Sequence, residues 1–102
     1  MASEIPDGVI VEAVWAVEAA YAPDAAERRP AFRMEHLARM GRLMREGTLV
    51  AAGAYTDMSG SLLLFRAADE AAVRELVDAD TYLRNGIWSS YRVRPFGAVR
   101  TV

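Results

Sequence analysis

The sequence TLVAAGAY at residues 48–55, followed by TDMSG at 56–60 and SLLLFR at 61–66, decides the fold of this chain. The two apolar runs favour strands and the segment between them is typical of a turn, so the stretch predicts a β-hairpin. In the run 61–66, apolar side chains occupy odd and even positions alike. Because successive side chains of a strand point to opposite faces of the sheet, both faces of this strand require cover.

The residues before the hairpin predict one strand and one long helix. Residues 9–17 are rich in Val, Ala and Trp, which favours a strand. A short helical entry is expected near Asp24, where Glu27 completes a capping-box pattern. Residues 31–46 predict the main helix, and Gly47 is its natural C-cap.

The residues after the hairpin predict a second helix and a last strand. Asp69 can N-cap the helix, residues 82–86 predict a short turn, and residues 88–96 predict a strand that ends at Pro95 and Gly97. The element order is therefore β-α-β-β-α-β. This is the ferredoxin-like pattern, an α+β fold with two helices on one face of a four-stranded antiparallel sheet.

The apolar positions of the hairpin also predict an assembly. Two helices cover one face of the sheet, whereas residues 61–66 have apolar side chains on both faces. A second copy packed sheet against sheet would cover the other face, so we expect a homodimer through the sheet face. The 102 residues fit one domain, with a core over about residues 9–96.

Composition argues against several classes of function. Twelve basic residues face fourteen acidic ones, and the net charge of −2 provides no basic field for nucleic acid. There is no cysteine and only one histidine, which argues against disulfides, thiolate chemistry and a structural metal site. No apolar run approaches the length of a membrane span and the N-terminus lacks the basic start of a signal peptide, so we expect a cytoplasmic protein.

The only histidine, His36, falls on the predicted core side of the main helix. At 100° per residue, Leu43 and Met40 lie within about 20° and 40° of it, and Arg33 lies within about 60°. An imidazole there is either a core histidine satisfied by hydrogen bonds or part of a polar pocket. The opposite, solvated side is expected to hold Arg39, Arg42 and Arg45.

Several motifs resemble the YciI-like (YCII-related) family. They are RMEHLARM at 33–40, EGTL at 46–49, Ala52-Gly53, DADTY at 78–82, GIW at 86–88 and VRPF at 93–96. The resemblance spans nearly the whole predicted core, with the motifs in the expected order.

The resemblance implies a dimeric α+β barrel with a ferredoxin-like protomer and an active site built on a His–Asp pair. That pair maps onto His36 and Asp80, and Arg33 matches the basic residue three positions before the histidine. The chain departs from the family pattern at Thr81 and Ala54, where proline is usual. Both departures lie next to the expected pocket and can change its shape.

The implied pair suggests a mechanism. A carboxylate bound to one imidazole nitrogen fixes the tautomer and raises the basicity of the other nitrogen. His36, held by Asp80, could remove a proton from a small organic molecule while Arg33 stabilises an enolate or an anionic group. We therefore expect a cofactor-free enzyme of the lyase, isomerase or cyclase type, in a catabolic or natural-product pathway. The alternatives are a non-catalytic binding or accessory protein and, by fold analogy alone, a cofactor-independent monooxygenase.

Other candidate positions carry open alternatives. Asp78 lies close to Asp80 and is an alternative partner for the imidazole. Tyr82 is either a pocket donor or a core aromatic. On the last strand, Trp88 and Ser90 are candidate substrate contacts with Arg33 and Tyr82. Trp88, Ser90, Arg92 and Arg94 should share one face, with Ser89, Tyr91 and Val93 on the other, and either set can border the pocket or the dimer interface.

Overall fold

The computed structural model describes residues 4–102, and within them it contains one antiparallel sheet of four strands in the order β2-β3-β1-β4. The element order confirms the predicted ferredoxin-like α+β fold, with two additional one-turn helices, α1 and α4. The elements are β1 (Val9–Tyr21), α1 (Ala25–Arg28), α2 (Pro30–Arg45), β2 (Leu49–Ala54), β3 (Gly60–Phe65), α3 (Glu70–Asp78), α4 (Thr81–Arg84) and β4 (Trp88–Thr101).

One face of the sheet, which we call the helix-covered face, forms the core. It presents Val17 and Ala19 of β1, with Leu63 and Phe65 of β3 beside them, all nearly inaccessible to solvent. These side chains alternate along their strands, as expected where only one face is packed. From the helices and from the β4 end of the sheet, the core adds Ala25, Met40, Leu43, Val73, Val77, Tyr82, Ile87 and Trp88.

The opposite face, which we call the open face, is not covered by any helix of residues 4–102. It presents Leu62 and Leu64 of β3, and Leu62 is 36% exposed. Charged side chains flank these leucines and pair across strands, so the open face is amphipathic rather than purely apolar. The pairs join Glu12 to Arg66 and Arg100, and Glu18 to Arg92 and Arg94.

Strand β4 is longer than predicted. It continues to Thr101, past Pro95 and Gly97, and pairs with β1 throughout. Because β4 is an edge strand, a proline without an N–H does not have to interrupt the ladder. At Gly97 a Cβ would lie 2.9 Å from a methyl group of Val11, so a side chain there would force that methyl group to move.

The helix ends partly follow the sequence signals. Asp69 caps α3 as predicted, accepting a hydrogen bond from the Ala72 amide at 2.9 Å. Gly47 follows α2 with φ of +82°, which confirms its predicted role. The predicted capping box at Asp24 is wrong: its side chain caps no amide and lies 3.5 Å from Arg28, because the Asp24 backbone (φ −100°, ψ 15°) is not in the extended conformation typical of an N-cap. No helix among residues 4–102 is long and apolar enough to cross a membrane.

Candidate active site at His36

A cavity of about 390 Å³ lies between helix α2 and the helix-covered face of the sheet. Its floor comes from the ends of β1, β2, β3 and β4, and its wall from the inner side of α2 and from α4. The volume is in the range of small-molecule sites. Most of the lining is apolar, and the polar side chains gather at the end near the start of α2, around His36.

His36 lies in the wall of this cavity and is 7% exposed. Its Nδ1 is 2.8 Å from Oδ1 of Asp80. Because a carboxylate only accepts, Nδ1 carries the proton, and in the neutral imidazole Nε2 then has its lone pair free. No side chain or backbone group of residues 4–102 hydrogen-bonds Nε2, which leaves this nitrogen available to a molecule in the cavity.

Two aromatic rings hold the imidazole in place. Tyr82 stacks on it with centroids 3.8 Å apart and planes 8° apart, and Trp88 meets it edge-on at 5.3 Å. Such contacts leave the ring little freedom to rotate about χ2. The imidazole is therefore held by packing as well as by the Asp80 hydrogen bond.

Asp80, rather than Asp78, is the partner of the histidine. Asp80 is 1% exposed and also accepts from the Tyr82 amide at 2.9 Å, which makes it the N-cap of α4. The region predicted as a turn is thus a one-turn helix that begins at Thr81. Asp78 is exposed and accepts from the Tyr91 hydroxyl at 2.8 Å, away from His36.

Arg39 corrects the predicted row of solvated arginines. Its side chain is only 14% exposed, and it donates to Oδ2 of Asp80 at 3.1 Å and to the Leu76 carbonyl at 2.8 Å. At 100° per residue Arg39 lies about 60° from His36, on the side away from Arg33, so its side chain can reach the α3–α4 junction. This angle was the sequence signal that Arg39 could lie near the core side of α2. Arg42 is exposed as expected and pairs with Glu46.

Two arginines from the start of α2 line the polar end of the cavity. Arg33, predicted from the sequence, is exposed and borders the cavity together with His36. Arg29, which the sequence reasoning missed, also lines it and donates to the Tyr21 hydroxyl at 3.3 Å. Arg29 immediately precedes Pro30, the first residue of α2, and is one turn before Arg33.

The structure separates Trp88 from Ser90. Trp88 is buried, lines the cavity and donates from Nε1 to Ser61 Oγ at 3.1 Å. Ser90 lies on the open face with Arg92 and does not line the cavity. The expectation that Trp88 and Ser90 share a face is wrong, because a β-bulge at Ser89 shifts the register between them.

Burial sets the protonation of Tyr82. Desolvation raises the pKa of its hydroxyl to about 12, which the nearby charges of Arg29 and Arg33 only partly oppose. The phenol is therefore neutral at ordinary pH and can donate a hydrogen bond but not act as a base. Tyr82 is a core aromatic that also lines the cavity, and its role as a donor to a ligand stays a prediction.

The two positions without the family's proline differ in their distance from the cavity. Ala54 lines it at the end of β2, whereas Thr81 is buried beside Asp80 and does not. In the part of the chain that the structure describes, no group of three His, Asp or Glu side chains is placed to hold a metal ion.

Comparison with known proteins identifies the family. The sequence profile of the YCII-related domain matches residues 13–97, so the chain belongs to the YCII-related family. A search of the curated proteins finds no match to the chain.

The fold is similar to that of a solved enzyme, 5-chloro-2-hydroxyhydroquinone dehydrochlorinase from Burkholderia phenoliruptrix, in complex with 2,5-dihydroxybenzoquinone. The match has a TM-score of 0.70 and 20% sequence identity, and covers 79% of this chain and 90% of the dehydrochlorinase. At this identity the comparison shows a shared fold.

Proposed function

We propose that the chain is a small-molecule enzyme in which His36 removes a proton from a substrate bound in the cavity. The observation that carries this proposal is the 2.8 Å contact between His36 Nδ1 and the buried Asp80 carboxylate, which leaves Nε2 as the free nitrogen beside the cavity. A base that is fixed in one tautomer and one orientation is a requirement of general base catalysis.

The proposed step is an enolisation. A C–H bond next to a carbonyl group breaks, its proton goes to Nε2 of His36, and its electron pair forms a C=C bond while the carbonyl oxygen becomes an enolate oxygen. Return of the proton to a different carbon gives isomerisation, and departure of a leaving group as an anion gives elimination. Attack of the enolate carbon on a second carbonyl carbon of the same molecule, with the proton on His36 passing to the new alkoxide oxygen, gives cyclisation. The proposed reaction class is therefore a lyase, an isomerase or a cyclase, without a cofactor.

Arg39 supports this step without contacting the cavity. It donates to the Asp80 oxygen that His36 does not use, and so fixes the orientation of the carboxylate. The carboxylate in turn stabilises the imidazolium that forms when Nε2 takes a proton. We assign Arg39 as a positioning residue.

Three further side chains are proposed to contact the substrate. Arg33 offers a positive charge, Tyr82 a neutral hydroxyl, and Trp88 an apolar ring surface, and all three line the cavity with His36. Ser90 lies on the open face, so we do not propose that it contacts the substrate.

The dehydrochlorinase of similar fold favours elimination within this class. Its name describes loss of hydrogen chloride from a chlorinated hydroxyhydroquinone, and it binds a quinone-like ring. A cavity of about 390 Å³ is large enough for one such ring. We therefore propose small cyclic carbonyl or polyhydroxy compounds as the first substrates to test.

Proton exchange and chloride release test the proposal directly. Enolisable cyclic compounds are incubated with the protein in D₂O and followed by ¹H NMR. In parallel, 5-chloro-2-hydroxyhydroquinone, whose keto tautomer has a C–H bond next to a carbonyl group, is assayed for chloride. His36→Gln and Asp80→Asn should lower the rate by about 10²–10⁴-fold, while Arg42→Gln serves as the exposed control. Unchanged rates in both variants would contradict the proposal, and ligand binding without exchange or chloride release would indicate a binding or accessory protein.

We also propose that the protein acts in the cytoplasm.

We further propose that two copies pair through the open face. The pairing is supported by Leu62 and Phe96, which lie on that face and are 36% and 46% exposed. Sedimentation at micromolar concentration should give twice the mass of the chain. Leu62→Glu should shift the protein to monomer, whereas Met34→Glu, at an 86% exposed position on α2, should not. A monomeric wild type would overturn this proposal.

A further inference from the structure

The titratable side chains that line the cavity are basic or neutral, and none is acidic. Arg29, Arg33 and His36 are among the described lining residues, and no carboxylate is. Asp80 lies behind His36, where His36 and Arg39 already engage it. Two guanidinium groups at one end of a cavity with no acidic side chain favour an anionic ligand.

Arg29 is not neutralised within the described chain. Its Nη1 donates to the neutral Tyr21 hydroxyl at 3.3 Å, its guanidinium lies 5.7 Å from the Tyr21 ring centroid, and no carboxylate of residues 4–102 is within ion-pair distance. Its Nε is buried and has no hydrogen-bond partner there. A partly buried positive charge with an unused N–H donor costs free energy, and an anion that accepts a hydrogen bond from it lowers that cost.

The Tyr21 hydroxyl is the last group in a series of hydrogen bonds. Trp88 Nε1 donates to Ser61 Oγ at 3.1 Å, and Ser61 Oγ donates to the Tyr21 oxygen at 3.3 Å. Arg29 donates to the same oxygen, so Tyr21 accepts twice and its own proton has no acceptor among residues 4–102. Accepting from a guanidinium and a hydroxyl makes a phenol a better donor.

Tyr21 and His36 line the same cavity, and both of their rings contact Tyr82. The Tyr82 ring stacks on His36 at 3.8 Å and meets the Tyr21 ring edge-on at 6.4 Å. A molecule that fills this cavity can therefore contact both His36 and Tyr21.

We propose that Tyr21 donates a hydrogen bond to the anionic oxygen of the substrate, with Arg29 and Ser61 as positioning residues. The substrate class is planar compounds that carry an enolate or phenolate oxygen. This inference rests on the proposed function in placing the reacting carbon at His36. It adds the site where the negative charge develops, which is where donors have their largest effect on rate.

Charge-selective binding tests the inference. Two ligands with the same ring are titrated separately, 4-nitrophenolate and its uncharged methyl ether 4-nitroanisole, and a dissociation constant is measured for each. The wild type should prefer the phenolate. Tyr21→Phe and Arg29→Gln should each weaken phenolate binding by about 10- to 100-fold and change binding of the ether little. Arg29→Lys should restore part of the preference, and the exposed Arg84→Gln should keep all of it.

A wild type that does not prefer the phenolate would overturn the inference, and so would variants that retain the preference or lose both ligands equally. Because binding requires no proton removal by His36, this result is independent of the exchange and chloride assays. The anion site can therefore fail while His36 proves to be a base, and the reverse can also occur.

Discussion

The two faces of the sheet use charge in different ways. On the open face, Glu12 and Glu18 each pair with arginines that remain largely in contact with solvent, with side chains 39–70% exposed. On the helix-covered face, the Asp80 carboxylate is 1% exposed and is held by His36 and Arg39. Exposed pairs contribute little because water and salt screen them, whereas buried groups interact strongly and cost much when a partner is lost.

This contrast distinguishes a surface from a site. The open-face pairs satisfy one another. Behind the cavity the charges form a chain from Arg39 to Asp80 to His36, and its last member has one nitrogen without a partner in the described chain. A buried polar network that ends in an unused acceptor is typical of a functional site.

Removal of the buried carboxylate should have the largest effect on stability. Asp80→Ala leaves Arg39 and His36 without their shared acceptor and removes the N-cap of α4. We expect the free energy of unfolding to fall by about 3–5 kcal/mol. Asp78→Ala, two residues earlier and exposed, is the matched control and should cost less than about 1 kcal/mol. Equal losses in urea denaturation would remove the distinction between the two carboxylates.

Neighbouring leucines of β3 should sharpen the comparison of the faces. Leu63 is 2% exposed on the helix-covered face, and Leu63→Ala should cost about 2–4 kcal/mol. Leu62 is 36% exposed on the open face, and Leu62→Ala should cost less than about 1 kcal/mol in an isolated protomer. If copies pair through that face, the loss at Leu62 should grow with protein concentration. A larger loss at Leu62 than at Leu63 at low concentration would show that the faces are assigned incorrectly.

A pH-dependent loss of stability is expected from Tyr82. Burial raises the pKa of this phenol from 10.0 to about 12, so the folded state holds the proton more tightly than the unfolded chain. The associated stability is complete below pH 10 and should decrease as the pH rises toward 12, by about 2 kcal/mol. Tyr82→Phe should lack this component, and Tyr55→Phe, at a 43% exposed position, should retain it. Identical unfolding curves for wild type and Tyr82→Phe between pH 9 and 12 would contradict the assignment.

The sequence predicted the element order and the position of His36 well, because both follow from periodicity. His36, Met40 and Leu43 lie on one side of α2 by spacing alone, and all three are buried. Asp69 and Gly47 mark helix ends through local chemistry that needs no tertiary contact.

Other features depend on contacts between distant parts of the chain. Arg39 pairs with the carboxylate of Asp80, which is 41 residues away in sequence. The burial of Arg39 therefore depends on where the α3–α4 junction packs. The bulge at Ser89 depends on the pairing of β4 with β1, and alternation along β4 alone could not reveal it. Tyr21 and Ser61, 40 residues apart in sequence, meet because β1 pairs with β3.

The central claim is that His36 presents an unprotonated Nε2 to the cavity while Nδ1 donates to Asp80. Because the chain has one histidine, a long-range ¹H–¹⁵N correlation spectrum reports on this ring without ambiguity. In the neutral form of the ring we predict a protonated Nδ1 and a bare Nε2, and a shift of the Nε2 resonance when a cavity ligand is added. A proton on Nε2 with a bare Nδ1, or an Nε2 resonance that no cavity ligand moves, would contradict the account.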